Sequence, residues 1–237
     1  MMQWGKKSDA NVLVVRMQTC GTEWRQRQLK LADVHFDSPY CNRALLKALL
    51  DEAKQEDAPV AIYGDLFDLM QGKTDRRGDK REVRPEYAGA GHYLDNVLND
   101  AFAFFRPYAD ILMFISEGNH DNAAARAAEF NVLAHLVKLL NDAATREGRG
   151  CHYMGYSGWV DYRFERHTGG GRTSRLEYFH HGAGGDAPVT LGVLGTARKQ
   201  DAYVADIYVG GHNHNEWTVT RSYVTVRAGR EIQTDAL

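Results

Sequence analysis

Residues 111–121, ILMFISEGNHD, limit what this chain can fold into more than any other stretch. A run of large apolar side chains, β-branched at Ile111 and Ile115, is closed by Gly118. That pattern predicts a strand buried within a covered sheet. An amide, an imidazole and a carboxylate follow at once, as Asn119, His120 and Asp121. They fall at the strand's carboxyl end, where open α/β sheets place their ligands. Taken alone, GNHD is a polar turn; its meaning depends on partners elsewhere in the chain.

Four other apolar stretches end in the same way. Residues 29–32 run into Asp33-Val34-His35. In a strand, residues i and i+2 point to one face, so this spacing predicts an oxygen and a nitrogen donor side by side. Residues 59–63 form a second short strand stopped by Gly64, which lets the backbone turn sharply and sets Asp65 at the tip. Asp65 is the natural bridge between two metals, with Asp68 as a supporting group behind it. Residues 176–179 lead into His180-His181-Gly182, and residues 205–209 into Gly210-Gly211-His212-Asn213-His214. Six of the ten histidines (35, 120, 180, 181, 212 and 214) fall in these tips, where a purely structural use would scatter them. Carboxylates, one amide and imidazoles without thiolates suit two divalent ions of the manganese, iron or zinc kind better than calcium.

The rest of the pattern is that of an α/β chain. Helical spacing covers residues 42–55, with Asn42 as N-cap, and residues 92–108, with His92 at the start and Pro107 near the end. Residues 123–140 read as one long helix in which His135 is packed among apolar neighbours. Residues 12–17, 151–164 and 176–181 have strand composition, the GGG at 169–171 is turn punctuation, and residues 217–232 alternate like a hairpin. His152 and His167 are structural or surface residues, and residues 1–10 form a loose polar lead-in.

Length and composition bound the function. A chain of 237 residues, 43% hydrophobic and 25% charged, suits one soluble domain spanning residues 1–237. No apolar stretch approaches membrane-spanning length, and the N-terminus has no hydrophobic signal core. Cys20, Cys41 and Cys151 are odd in number and far apart, so neither a disulfide framework nor a CxxC site is indicated, and a cytoplasmic setting fits. A net charge of −2 argues against a globally basic nucleic-acid binder but leaves room for a local patch. The one marked charge run lies at residues 71–84, where Lys73, Arg76, Arg77, Lys80, Arg81 and Arg84 outnumber Asp75, Asp79 and Glu82. Most such runs are solvated loops. This one leaves the same sheet edge as Asp65, which makes Arg76, Arg77, Lys80 and Arg81 candidates for holding phosphate groups.

The order D-x-H, G-D-x-x-D, G-N-H-D, H-G and G-H-x-H, spread over residues 33–214, resembles the calcineurin-like metallophosphoesterase superfamily. The resemblance implies a four-layer αββα sandwich, two mixed β-sheets flanked by helices, with two divalent ions at the sheets' loop edge. Manganese is the first expectation, with iron, zinc, nickel or magnesium as alternatives. Asp33, His35 and His214 would hold one ion and Asn119, His181 and His212 the other, with Asp65 bridging. The HHG motif leaves His180 open as the alternative to His181. His120 would be the general acid or transition-state stabiliser, and Asp121, in a place often taken by Glu, would orient it. The implied chemistry is attack of a metal-bound hydroxide on phosphorus. A phosphodiester, nucleotide or nucleic acid, is the leading substrate; a phosphomonoesterase or protein phosphatase and a non-catalytic protein-binding scaffold are the rivals. The family usually continues through further strands after GHxH, so the ending REIQTDAL implies a short tail or a truncated chain.

Overall fold

The computed structural model describes residues 2–7, 11–21, 23–69, 83–87, 92–167, 169, 171–182, 203–214, 223–227 and 230–234, the last two segments as backbone only. Two sheets lie face to face. The first is parallel throughout, in the order β3 (Leu29–Leu31), β4 (Val60–Tyr63), β5 (Leu112–Ser116) and β6 (His152–Met154). Every residue of β4 and β5 is buried, as expected of β-branched and aromatic strands covered on both faces. The second sheet is mixed, in the order β1 (Met2–Lys6), β2 (Val12–Thr19), β7 (Ser157–Arg166), β8 (Arg172–His180) and β9 (Ile207–Gly210). Here β1 pairs antiparallel with β2, β2 parallel with β7, β7 antiparallel with β8, and β8 parallel with β9. A separate antiparallel hairpin joins β10 (Tyr223–Arg227) to β11 (Arg230–Thr234), within the span expected to alternate.

Among the described residues, four helices cover the outer face of the parallel sheet. In α1 (Arg43–Gln55) the Asn42 side chain accepts the Leu45 N–H, as expected of an N-cap, and Leu46, Leu50 and Ala53 face inward. Helix α2 (Tyr93–Phe105) buries Val97, Leu98, Ala101 and Phe105 and ends in a 3₁₀ turn carrying Pro107. The expected single helix over residues 123–140 is two helices, α3 (Asn119–Ala128) and α4 (Val132–Ala143). Glu129 takes a left-handed conformation (φ 51°) at the end of α3, and Asn131 then caps α4 by accepting the Ala134 N–H. Helix α3 also begins earlier than expected, which places Asn119, His120 and Asp121 in its first turn. His135 is exposed, not packed, with its ring 5.5 Å from that of Phe130.

One core lies between helices and parallel sheet, the other between the two sheets, where Tyr63, Met113 and Phe114 meet Leu13, Val15, Met17, Val160 and Phe179. The rings of Phe114 and Phe179 stack at 5.2 Å. The arrangement is that of an α/β sandwich. Two details differ from expectation: one sheet is parallel rather than mixed, and among the described residues no helix covers the outer face of the mixed sheet. The N-terminal segment is no loose lead-in either. Met2 and Trp4 are buried, and the Trp4 indole donates to the Gly150 carbonyl at 2.8 Å. No helix among the described residues is long and apolar enough to cross a membrane.

Candidate metal centre

The carboxyl ends of β3, β4 and β5 and those of β8 and β9 converge on one edge, and every tip singled out in the sequence arrives there. Asp33, His35, Asp65, His212 and His214 all lie just beyond their strands with φ between 45° and 78°. The same-face rule of an extended strand therefore does not place Asp33 beside His35 or His212 beside His214; left-handed turns do. Such backbone costs about 1–3 kcal/mol per residue and persists only where the surroundings fix it. Five of the eight non-glycine residues with positive φ among the described residues are these five, so the strain is concentrated at this edge.

Backbone donors fix the carboxylates. The His212 N–H donates to both Asp33 oxygens at 2.9 Å, and the His120 N–H, in the first turn of α3, donates to Asp65 Oδ1 at 2.9 Å. Gly118 permits that approach, since a Cβ there would lie 2.0 Å from Asp65 Oδ1. Gly64 (φ 87°) is equally constrained: a Cβ would meet His181 Nδ1 at 2.3 Å.

Among the described residues the donor atoms form two groups at the strand tips, and His35, Asp68 and His120 form a third beside them. Asp33, His35 and His214 bring one ligand atom each within 4.8 Å of one another, and so do Asp65, His181 and His212. Asn119 belongs with the second group, its Oδ1 lying 3.2 Å from His181 Nε2 and 2.8 Å from His212 Nδ1. His181 Nε2 is 3.1 Å from Asp65 Oδ2 and 3.9 Å from Asp33 Oδ1, which links the groups. His181 is wholly buried, and its Nδ1 donates to the Tyr63 carbonyl at 3.1 Å. A carbonyl can only accept, so Nδ1 carries the proton and Nε2 turns its lone pair to Asp65 and Asn119, the arrangement usual for metal-ligating histidine. His180 is directed elsewhere: its Nδ1 accepts the Gly182 N–H at 3.0 Å.

These donors fit divalent cations. An amide oxygen, imidazole lone pairs and a carboxylate face one another, so a proton, an inverted amide or a cation has to lie among them. Both ring nitrogens of His35 are buried without a hydrogen bond. Without a cation, protons fill part of the role. Burial alone would depress the His181 pKa, but the Asp65 carboxylate outweighs it and raises it. Burial likewise pushes Asp65 up, and His181 and His120 overcome it and hold the carboxyl below its usual range.

His120 faces this centre from α3. Its Nδ1 lies 3.0 Å from Asp68 Oδ1 and 3.1 Å from the Asp68 carbonyl. The Asp68 carboxylate, overcoming the opposing effect of burial, raises the His120 pKa to about 9, and the two histidines it touches hold the Asp68 carboxyl far below its ordinary value despite burial. The expectation that Asp121 orients His120 is corrected here. Asp121 sits at the third position of α3, where its oxygens accept the Phe67 N–H at 3.1 Å and the Gly118 N–H at 3.0 Å. It staples the β4 and β5 tips together, while Asp68 takes the orienting role. Burial, reinforced by the Asp65 charge, pushes the Asp121 carboxyl up to about 7.

Three supporting residues escaped sequence reasoning. Asp37 accepts the Asp68 and Leu69 N–H groups; Tyr156 donates to the Gly182 carbonyl at 2.7 Å with its ring 5.5 Å from that of His181; Glu117 accepts amides of Asn122 and Asn131 and the Tyr153 hydroxyl. The one available signal was proximity, since Asp37 follows His35 by two and Glu117 precedes Gly118. Arg76, Arg77, Lys80 and Arg81 lie outside the described residues.

Comparison with curated proteins finds no match, and comparison with solved structures finds none either. A family model described as calcineurin-like phosphoesterase matches residues 29–216, a span that begins at β3 and closes just past His214. With that match covering most of the sequence and every motif tip converging on one edge, the chain belongs to the calcineurin-like phosphoesterase family.

Proposed function

We propose that this protein hydrolyses phosphodiesters, of nucleotides or nucleic acid, using two divalent cations with manganese as the first choice. Asp33, His35 and His214 would hold one cation, and Asn119, His181 and His212 the other, with Asp65 between them. Bound there, the cations would neutralise charge on the phosphoryl oxygens and acidify a nucleophilic water. The residues' own part is positional and acid–base. The His120 N–H and the Asp68-bound Nδ1 proton are both fixed, which leaves Nε2 to deliver its proton to the departing oxygen. The observation that carries the reading is this histidine, its Nδ1 held 3.0 Å from Asp68 Oδ1 beside a set of converging lone pairs.

The diester preference rests on the basic run at residues 71–84, which follows Asp65 in sequence and would attract an anionic polymer. Unpaired Cys20, Cys41 and Cys151 agree with a reducing, cytoplasmic setting. The test is hydrolysis of bis-para-nitrophenyl phosphate beside para-nitrophenyl phosphate with manganese present and Asp65→Ala as control. Faster turnover of the diester is expected. Preference for the monoester would make the protein a phosphatase, and no turnover with metal bound would make it a scaffold.

A further inference from the structure

Asp37 is a carboxylate that the chemistry above does not use. It is 2% exposed, and three donors from two parts of the chain meet it. The Asp68 N–H reaches Oδ1 at 2.6 Å, the Leu69 N–H reaches Oδ2 at 2.9 Å, and the Tyr93 hydroxyl, at the start of α2, reaches Oδ2 at 2.8 Å. Leu69 is itself left-handed (φ 50°), an uncommon conformation for a residue with a Cβ. Two consecutive N–H groups bound by one carboxylate hold that turn against its strain. The turn is what aims Asp68, whose Oδ1 and carbonyl oxygen both meet His120 Nδ1.

A second link runs beside the first. The loop that carries Asp37 also carries His35, and the His35 and Phe36 N–H groups bond the carbonyls of Asp65 and Leu66 at 3.0 and 2.8 Å. The β3 and β4 tips are thus laced together by backbone, and Asp37 closes the lacing at the point where Asp68 leaves it. Backbone bonds would hold His35 and Asp65 without Asp37; among the described residues, no other side chain accepts from the Asp68 or Leu69 N–H.

We propose that Asp37 is a positioning residue for proton delivery: its buried carboxylate fixes the turn from which Asp68 holds His120. The proposal rests on the phosphoesterase reading above for its kinetic consequence, but not for its structural one. Asp37→Asn keeps the size and one acceptor while turning an N–H₂ toward backbone donors, which loosens the turn without opening a cavity.

The test uses the full metal-loaded chain and two diesters: bis-para-nitrophenyl phosphate, whose leaving group departs without a proton, and diphenyl phosphate, whose leaving group needs one more. Asp37→Asn should lower kcat at least tenfold on diphenyl phosphate, under threefold on the nitrophenyl ester, and change metal affinity less than threefold. In a His120→Ala background the same substitution should change kcat less than twofold on either. Equal losses in both backgrounds, or loss of metal, would make Asp37 a general structural residue and overturn the proposal. If Asp37→Asn does not fold, Tyr93→Phe, which removes one of the three donors, should show the same pattern at about threefold; no selective loss there overturns the proposal equally. A chain that binds metal but turns over no phosphate ester defeats the phosphoesterase reading instead. The positioning is then read by NMR of the zinc-loaded chain, where the His120 Nδ1 proton should move upfield in either variant, and an unmoved resonance counts against Asp37.

Discussion

The buried polar cluster between the sheets and the one at the loop edge differ in how their lone pairs are matched. Between the sheets, the wholly buried Glu177 accepts the Tyr63 hydroxyl at 2.6 Å, the Tyr162 hydroxyl at 3.3 Å and the Lys30 ammonium. Burial, with the Glu177 charge behind it, pushes both phenols well up, so they stay donors. Each acceptor there meets a hydrogen. At the loop edge, Asp65, Asn119, His181 and His212 face one another with lone pairs, and neither buried ring nitrogen of His35 makes a hydrogen bond, its Nδ1 standing 3.4 Å from Asp68 Oδ1. Burying polar groups is ordinary when they are matched. A set of acceptors gathered without donors is different, because an added cation, added protons or an inverted Asn119 amide has to reconcile it. Burial alone would have drawn the eye to Glu177; matching separates structure from site.

Breaking one cluster at a time sharpens that contrast. Asp65→Ala should cost both metal and activity, the latter by about a thousandfold, because charge stabilisation of the transition state worth several kcal/mol goes with the cation. Steady-state kinetics with metal analysis checks both at once. Glu177→Gln should do the reverse. Stability, measured by urea unfolding, should fall by about 1–3 kcal/mol as Lys30 loses its charged partner, with metal content and turnover unchanged. Loss of metal in Glu177→Gln would mean that the two clusters are one unit.

The histidine–carboxylate pair at the loop edge supplies a smaller effect in the metal-free chain. The His120 pKa is raised to about 9 in the folded state by Asp68, against an unfolded value of about 6.5. A raised folded pKa gives stabilisation that is complete below the unfolded value and lost as pH rises through the folded one. Metal-free protein should therefore lose thermal stability between about pH 6.5 and 9, and His120→Ala should flatten that slope in melting curves. The smallest effect concerns the basic run. Charge reversal at Arg76, Arg77, Lys80 and Arg81 should weaken single-stranded DNA binding and reduce its salt slope, by up to about 0.7 for each phosphate no longer neutralised. An unchanged slope would return that run to solvated loop.

Much of this was legible in the sequence because apolar runs closed by glycine and followed by ligand-type residues leave few other readings. β4 and β5 are such runs, and the residues at their tips meet as expected. What escaped depends on backbone conformation rather than residue type. Nothing in Asp33-Val34-His35 says that both acidic and imidazole residues turn left-handed, so the strand rule reached the right neighbours by the wrong geometry. The alanine-rich run around residue 128 has helix propensity on both sides of Glu129, and only Asn131, a cap followed by apolar residues, hinted at the break. Asp121 and Asp68 are alike in sequence, each a carboxylate near a glycine-led tip. Which one meets His120 is decided by the start of α3, which turns Asp121 back onto Gly118, and by Asp37, which turns Asp68 forward.

The most direct measurement is the number of manganese ions bound per chain, by equilibrium dialysis with elemental analysis, in wild type, Asp65→Ala and Glu177→Gln. Two ions in the wild type, at most one in Asp65→Ala and two in Glu177→Gln would bear out the assignment of unmatched lone pairs to cations. A wild type that binds none, or an Asp65→Ala chain that keeps both, would contradict it.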